Sequence, residues 1–464
     1  MRQGEGMKLR VAVLAVAVVG LMLAGVSGVA AQQKDVKIFG DLRFRGEAFN
    51  NIWDFDNDDR NAAGVRLAND DSWQYYRIRT HVGADARLAE GVRAYVLLVD
   101  EYRGGNAQIA GVDQNNIAVE NAFLQLTEVG GFPLTLTMGR QNLIYGEGWL
   151  VLEGTPQDGS TTIGFDAVKL SYAMADAGRN IDLFGAKMAE GVVGTADDTD
   201  FYGLYITEKN ILNPHKLEYY VLRLHQNAPG VILVSRMLPE KTVDTVGFRL
   251  SGAITDQLTY ATEWGKQSGH RRNNQNTDNL GINAFAGYAH TTYALDADMS
   301  PKLNLGYWFY SGDGDGTSED GRFKGWDCLF SEFPYLSELY TYSNWDGFDA
   351  FKGPRNVYNA VHGVPDNDPD YGTWTNMHMA QLGGAVSPCE GVVCSLHYQH
   401  WLADKNNGPG GGSTRGRNLV AKLTYALTDN VSTHLYGEYF RPGDYYLAHA
   451  DDAWFTRWQV LVKF

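Results

Sequence analysis

Trp454-Phe455-Thr456-Arg457-Trp458-Gln459-Val460-Leu461-Val462-Lys463-Phe464 ends the chain. Trp454, Thr456, Trp458, Val460, Val462 and Phe464 share one parity, and Arg457, Gln459 and Lys463 take the other. A period of two is the signature of a strand with one apolar and one wet face. Lys37-Ile38-Phe39-Gly40-Asp41-Leu42-Arg43-Phe44-Arg45-Gly46-Glu47-Ala48-Phe49, near the other end, repeats the pattern. There Asp41, Arg43, Arg45 and Glu47 oppose Ile38, Leu42, Phe44 and Ala48.

Working inward, sixteen more candidate strands start near residues 73, 92, 117, 133, 164, 180, 200, 215, 243, 257, 281, 302, 376, 392, 416 and 430. Most alternate; residues 117–126 and 200–207 alternate poorly and are held by spacing. The connections carry the stronger signal. Ala89-Glu90-Gly91, residues 127–132, 174–179, 208–214, Ala253–Asp256, 294–301, 387–391 and Leu427-Thr428-Asp429 are short. They alternate with long ones at 50–72, 104–116, 142–163, 188–199, 226–242, 267–280, 312–375, 402–415 and 441–452. On this division the shortest long connection has 12 residues and the longest short one eight. The fold expected is all-β, an antiparallel transmembrane β-barrel of about 18 strands with short periplasmic turns and long extracellular loops. A propeller or sandwich would need a blade-length repeat or leave the apolar outer stripes unexplained, and no such repeat is present.

Composition agrees. The 464 residues include 26 Tyr, 11 Trp, 20 Phe and 53 Gly but only 13 Pro, which suits many strands joined by turns. After the N-terminal region no apolar run is long enough for a helical span, so a membrane crossing must use a closed sheet. Residues 1–31 read as a secretory signal peptide: Met7-Lys8-Leu9-Arg10, an apolar run from Val11 to Val26, then Ser27-Gly28-Val29-Ala30-Ala31. Residues 32–464 are then the barrel. Without residues 1–31 the chain carries 36 basic and 54 acidic residues, net −18, which argues against nucleic acid as a partner. Cys328, Cys389 and Cys394 are too few for a disulfide framework; Cys389 and Cys394 have the spacing to close one small loop.

The wet faces are the functional signal. Arg43, Arg45 and Glu47 on the first strand meet Arg77, Arg79, His81, Asp85 and Arg87 on the second. Lys169, Arg249, Lys422 and Arg457 lie on the polar faces of their own strands. A charge on the lipid side costs about 2–4 kcal/mol near the midplane, so these residues face the lumen. Two readings follow. A basic wall would bind and orient anions, with guanidinium forks suited to carboxylate. Alternatively the charges only solvate the lumen and pair with Asp41, Glu47, Asp85 and Glu263. Arg140 shares the parity of Leu134, Leu136 and Met138, which puts it at the rim or after a bulge.

Gly139-Arg140-Gln141-Asn142-Leu143-Ile144-Tyr145-Gly146, followed by Gly164-Phe165-Asp166-Ala167-Val168-Lys169-Leu170, resembles the alginate export porin family. So do Arg43-Phe44-Arg45-Gly46-Glu47, Tyr310-Ser311-Gly312-Asp313-Gly314-Asp315 and Phe440-Arg441-Pro442-Gly443-Asp444-Tyr445, in order along the chain. The closing Phe464 resembles the signal read by the barrel-assembly machinery. The resemblance implies a monomeric barrel in bacterial outer-membrane lipid, with an arginine-rich pore exporting an anionic polysaccharide such as alginate. In that family's exporter a long periplasmic loop near the C-terminal strands helps to gate the pore. The corresponding turn here, Leu427-Thr428-Asp429, is too short to plug anything, which favours a more open pore. A general porin for small solutes or oligosaccharides, or a loop-based receptor or adhesin, is the alternative.

Two loop features complete the reading. Asp313, Asp315, Glu319 and Asp320 offer oxygen ligands for calcium, but their spacing departs from an EF-hand, and a solvated acidic loop is preferred. The stretch 312–375, with Trp326, Tyr335, Tyr340, Trp345 and Trp374, is too long for a passive link; it forms a constriction or a lid. No catalytic signature of a hydrolase, zincin or phosphate-binding loop is present, so no enzyme and no cofactor are expected; His270, His290, His397 and His400 are the residues an enzyme would draw on.

Overall fold

The computed structural model describes residues 35–51, 55, 72–104, 117–152, 164–189, 198–227, 240–272, 279–314, 321–330, 337–339, 375–406, 408, 410–446 and 450–464. The leader read over residues 1–31 lies outside the described residues, as do Asp315, Glu319, Asp320, Tyr335, Tyr340, Trp345 and Trp374.

Eighteen strands form one closed antiparallel barrel. They are β1 Asp35–Asn50, β2 Trp73–Ala89, β3 Val92–Gly104, β4 Ala118–Leu126, β5 Leu134–Gln141 and β6 Phe165–Met174. Next come β7 Arg179–Ala189, β8 Thr199–Leu212, β9 His215–Gln226, β10 Lys241–Ala253, β11 Leu258–Arg272 and β12 Asn279–Ala294. The last six are β13 Lys302–Tyr310, β14 Met377–Val386, β15 Val392–Leu402, β16 Thr414–Ala426, β17 Val431–Pro442 and β18 Ala453–Lys463. Each pairs with the next, and β1 closes the ring on β18 from Asp41↔Lys463 to Asn50↔Trp454. Closure leaves no open edge, the condition for a sheet in lipid. All sixteen expected inner strand starts lie within two residues of the observed ones.

The expected gap in connection length is corrected at one place. β11 and β12 have 15 and 16 residues and continue their ladder to Arg272↔Asn279. Their connection is therefore only 273–278, shorter than the 295–301 turn at the opposite end. Alternation of connection length holds around the rest of the ring.

Alternation also decides the faces. On β1, Ile38 and Leu42 are exposed, whereas Arg43, Arg45 and Glu47 are buried. On β18, Trp454 and Trp458 are exposed on the outside, and Phe455, Arg457 and Gln459 are buried inside. The interior is not simply water-filled. Residues 142–152 and 321–330 fold into the lumen, where Trp149 stacks on Trp326 at 5.4 Å and Phe330 packs on Phe201 at 4.8 Å. Val151 and Phe330 form a parallel bridge between the two segments. Arg322–Phe323 adds a two-residue parallel strand paired edge to edge with Gly281 and Ile282 of β12. Buried apolar side chains from residues 142–152 and 326–330 and from the inner wall form one contiguous core, and Phe323 packs separately on Leu280.

This inner layer explains the strand that alternates poorly. On β8, Phe201 and Tyr205 face inward against Phe330 and Tyr145, so both faces are apolar and the period of two disappears. On β4 the cause is a register shift: Leu97 pairs with Asn121 but Leu98 with Val119. The three cysteines are free, so the Cys389–Cys394 link is not formed.

Candidate functional site

One wall of the lumen is an arginine ladder. Antiparallel register places Arg43 opposite Arg79, and Arg45 opposite Arg77, across β1 and β2. On the other side of β1, Glu47 lies opposite Arg457 of β18. Stacking like charges in this way is unfavourable unless carboxylates intervene, and they do. Arg43 donates to Glu101 at 3.3 Å, and Arg77 donates to the same carboxylate at 2.6 Å. Arg77 also reaches Glu47 at 3.3 Å, and Arg79 donates to Asp41 at 3.1 Å. Arg45 donates to Gln459 at 2.6 Å. Arg45 is 0 % exposed and Arg77 and Arg457 are each 2 % exposed, so solvent screens these contacts little.

Arg457 ties the wall to an inward connection. Its Nε donates to Glu47 at 2.7 Å, while Nη1 and Nη2 grip both oxygens of Glu338 at 2.7 and 3.0 Å. That fork-to-carboxylate geometry is the strong, oriented form of the pair. Glu438 on β17 holds the same short turn from below. It accepts the backbone N–H groups of Glu338 and Leu339 at 2.8 and 3.1 Å, the Ser337 hydroxyl, and the Asn418 amide at 2.7 Å.

Halfway round the ring, Arg249 on β10 is the centre of a second cluster. It donates to Glu218 at 2.6 Å, to Glu147 at 2.7 Å and to the Tyr288 oxygen at 3.2 Å. Tyr288 in turn donates to Glu263 at 3.0 Å, and Tyr205 to Glu218 at 3.1 Å. Glu147 also meets His290 at 2.9 Å. Burial opposes charge on Glu147, but the His290 hydrogen bond and the neighbouring Arg249 hold its carboxyl below the usual range. This wall is thus richer in carboxylate and phenol than in base, and the lumen is not uniformly basic.

Glu147 arrives there because the chain turns inward after β5. Leu143 is buried, Tyr145 stacks on Tyr205 at 4.3 Å, and Gly146 takes φ +59°. A Cβ on Gly146 would lie 3.0 Å from the Arg249 side chain and 3.1 Å from Glu263, so only glycine permits both the turn and the approach.

Of the residues expected to line the lumen, the structure gathers Arg43, Arg45, Glu47, Arg77, Arg79 and Arg457 into one cluster. Arg249 stands across the ring, and Lys169 and Lys422 face inward, half-buried, from β6 and β16. Arg140 lies outside: at the end of β5 it forms a two-pronged pair with Asp166, both contacts at 2.9 Å. Asp313 is buried, and no group of three candidate metal ligands occurs among the described residues. Of the four histidines, His290 is held by Glu147 on the inner wall, while His270 stands on β11 and His397 and His400 on β15. Sequence reasoning missed Glu101, Glu147, Glu218, Glu338 and Glu438. Parity on β3 and β9 had the signal for Glu101 and Glu218. Glu147 follows directly on the Tyr145-Gly146 motif.

The family model described as alginate export matches residues 41–345. No curated protein matches the chain. Several solved structures from Pseudomonas aeruginosa share the architecture. Vanillate-bound OpdK is 13% identical over 92% of this chain and 98% of its own, with a TM-score of 0.53. OccK11 (OpdR) is 13% identical over 92% and 96%, with a TM-score of 0.53. OccK8 (OprE) is 11% identical over 93% and 98%, with a TM-score of 0.54. At such identity the likeness speaks for the fold. The family match and these barrels together place the chain in the bacterial outer membrane as a channel.

Proposed function

We propose that this chain, which belongs to the alginate export family, passes anionic solutes, and that its cargo is a carboxylated polysaccharide leaving the cell. The observation that carries the reading is the grip of Arg457 on Glu338. There a wall guanidinium binds, through both oxygens, a carboxylate that comes from a connection and not from the wall. A uronate residue presents the same group in the same form. Arg43, Arg45, Arg77 and Arg79 continue the surface along β1 and β2.

On this reading Glu147 and Glu338 occupy arginines that the cargo uses, so the inward segments must withdraw for passage. The short Leu427–Asn430 turn, closed by Leu427 N–H to the Val431 carbonyl at 2.9 Å, is itself too short to plug the periplasmic mouth. The barrel works as a monomer, inserted by the barrel-assembly machinery through β18 and Phe464.

Planar-bilayer recording with short oligo-uronates tests the cargo class. Acidic oligomers should interrupt the current, and neutral glucans of equal length should not. Replacing Arg43, Arg45, Arg77 and Arg79 by Gln should shorten the interruptions by about tenfold, the order expected when a charge-assisted hydrogen bond is lost. Equal interruption by neutral and acidic oligomers would overturn the carboxylate reading and favour a general porin.

A further inference from the structure

Outward-facing cations near the long-connection rim follow a rule on one side of the barrel. Arg140 is opposite Asp166, Lys187 opposite Asp200 and Arg223 opposite Asp244, each in direct cross-strand register. All three pairs are in contact, at 2.9, 2.9 and 2.6 Å. The rule breaks between β16 and β17. Arg417 is directly opposite Arg441, and both are exposed. No ion pair joins either to a carboxylate among the described residues, and the neighbour of Arg417 on β15 is His400.

Both arginines point outward. Arg417 continues the exposed row Leu419, Ala421, Leu423 on β16, and Arg441 continues Tyr439, Gly437, Leu435 on β17. They therefore stand where the apolar outer belt ends, at headgroup level. Like charges directly opposite repel across a ladder; among the described residues neither guanidinium forms an ion pair, and Asp452 on the β18 side accepts the Tyr439 hydroxyl. Below them Ala421 faces Gly437, and a Cβ on Gly437 would touch nothing within 4 Å. The small pair leaves a shallow dip, flanked by Leu419 and Tyr439 above and by Leu423 and Leu435 below.

We propose that Arg417 and Arg441 form a binding site for a phosphate-bearing membrane lipid of the leaflet at the long-connection rim. The phosphate lies between the two guanidinium groups, which suit its oxygens. One acyl chain runs over the Ala421–Gly437 dip. The charge complementarity is local: the three outward rim pairs between β5 and β10 are already neutral and offer no equivalent.

Native mass spectrometry of the intact barrel, released from detergent with limiting lipid A, reads the site. Wild type should retain the lipid, and R417Q/R441Q should retain about tenfold less, the order expected for losing two solvent-exposed charge contacts. R441E, which supplies Arg417 with its own carboxylate, should lose the lipid equally while its unfolding midpoint stays level or rises. R223Q/D244N should behave as wild type. Inorganic phosphate at the same concentration should not be retained, because it lacks the acyl chain. Undiminished retention in both R417Q/R441Q and R441E, or equal loss in R223Q/D244N, would overturn the proposal. Retention of free phosphate in place of lipid A would overturn the lipid assignment.

Discussion

Arg457→Met is expected to destabilise the barrel more than any other single wall substitution, by roughly 3–5 kcal/mol. The reason is the number of charges that depend on it. Arg457 is 2 % exposed and holds Glu47 through Nε and Glu338 through both terminal nitrogens. Its loss leaves Glu338 buried without its fork and Glu47 with one fewer donor. Leaving a buried carboxylate unpaired costs far more than the net worth of the pair, because the desolvation already incurred is no longer offset. Adding Glu338→Leu to the same variant should recover part of the loss, since the stranded charge goes with it. The measurement is equilibrium unfolding of the refolded barrel in vesicles. A change below about 1 kcal/mol, the usual size for an exposed ion pair, would mean that water reaches Arg457 freely.

The second large effect concerns conduction. Glu147→Gln with Glu338→Gln should raise the open fraction of single channels by about tenfold or more. Each exchange replaces a charged acceptor by a neutral one at an arginine, and a hydrogen bond to a charged group contributes roughly 1.5–3 kcal/mol. Glu147 holds residues 142–152 to Arg249 at 2.7 Å and to His290 at 2.9 Å, and Glu338 holds residues 337–339 to Arg457. The apolar part of the inner layer, Trp149 on Trp326 and Phe330 on Phe201, is untouched by the two changes. The segments are therefore loosened and not unfolded. Open fractions indistinguishable from wild type in planar bilayers would show that these carboxylates do not restrain the segments.

The outer wall was the most legible part of the sequence. Ile38 with Leu42, and Trp454 with Trp458, alternate because lipid demands an apolar face at every second residue. The arginine ladder was legible for the same reason, since Arg43, Arg45, Arg77 and Arg79 have nowhere else to point. What parity could not give is the inner layer. Where Phe201 and Tyr205 meet residues delivered from distant connections, the lumen face is as apolar as the lipid face. Glu338 pairs with a residue 119 positions away, and Glu147 with Arg249 102 positions away, so no local pattern announces either contact. The basic sign read from the first two strands holds for their wall alone. Around Arg249 the carboxylates of Glu147, Glu218 and Glu263 outnumber the base.

The two charge clusters make the ion preference of the open pore a decision between walls. Under the proposed function the ladder of β1, β2 and β18 governs, because withdrawal of the inward segments takes Glu338 and Glu147 away and leaves Arg43, Arg45, Arg77, Arg79 and Arg457 in excess of the wall carboxylates Asp41, Glu47 and Glu101. The zero-current potential across a bilayer with a potassium chloride gradient measures this directly. The expected result is a chloride-preferring potential in wild type that falls toward zero when Arg43, Arg45, Arg77 and Arg79 are all replaced by Gln. A cation-preferring potential that the four replacements leave unchanged would contradict the account.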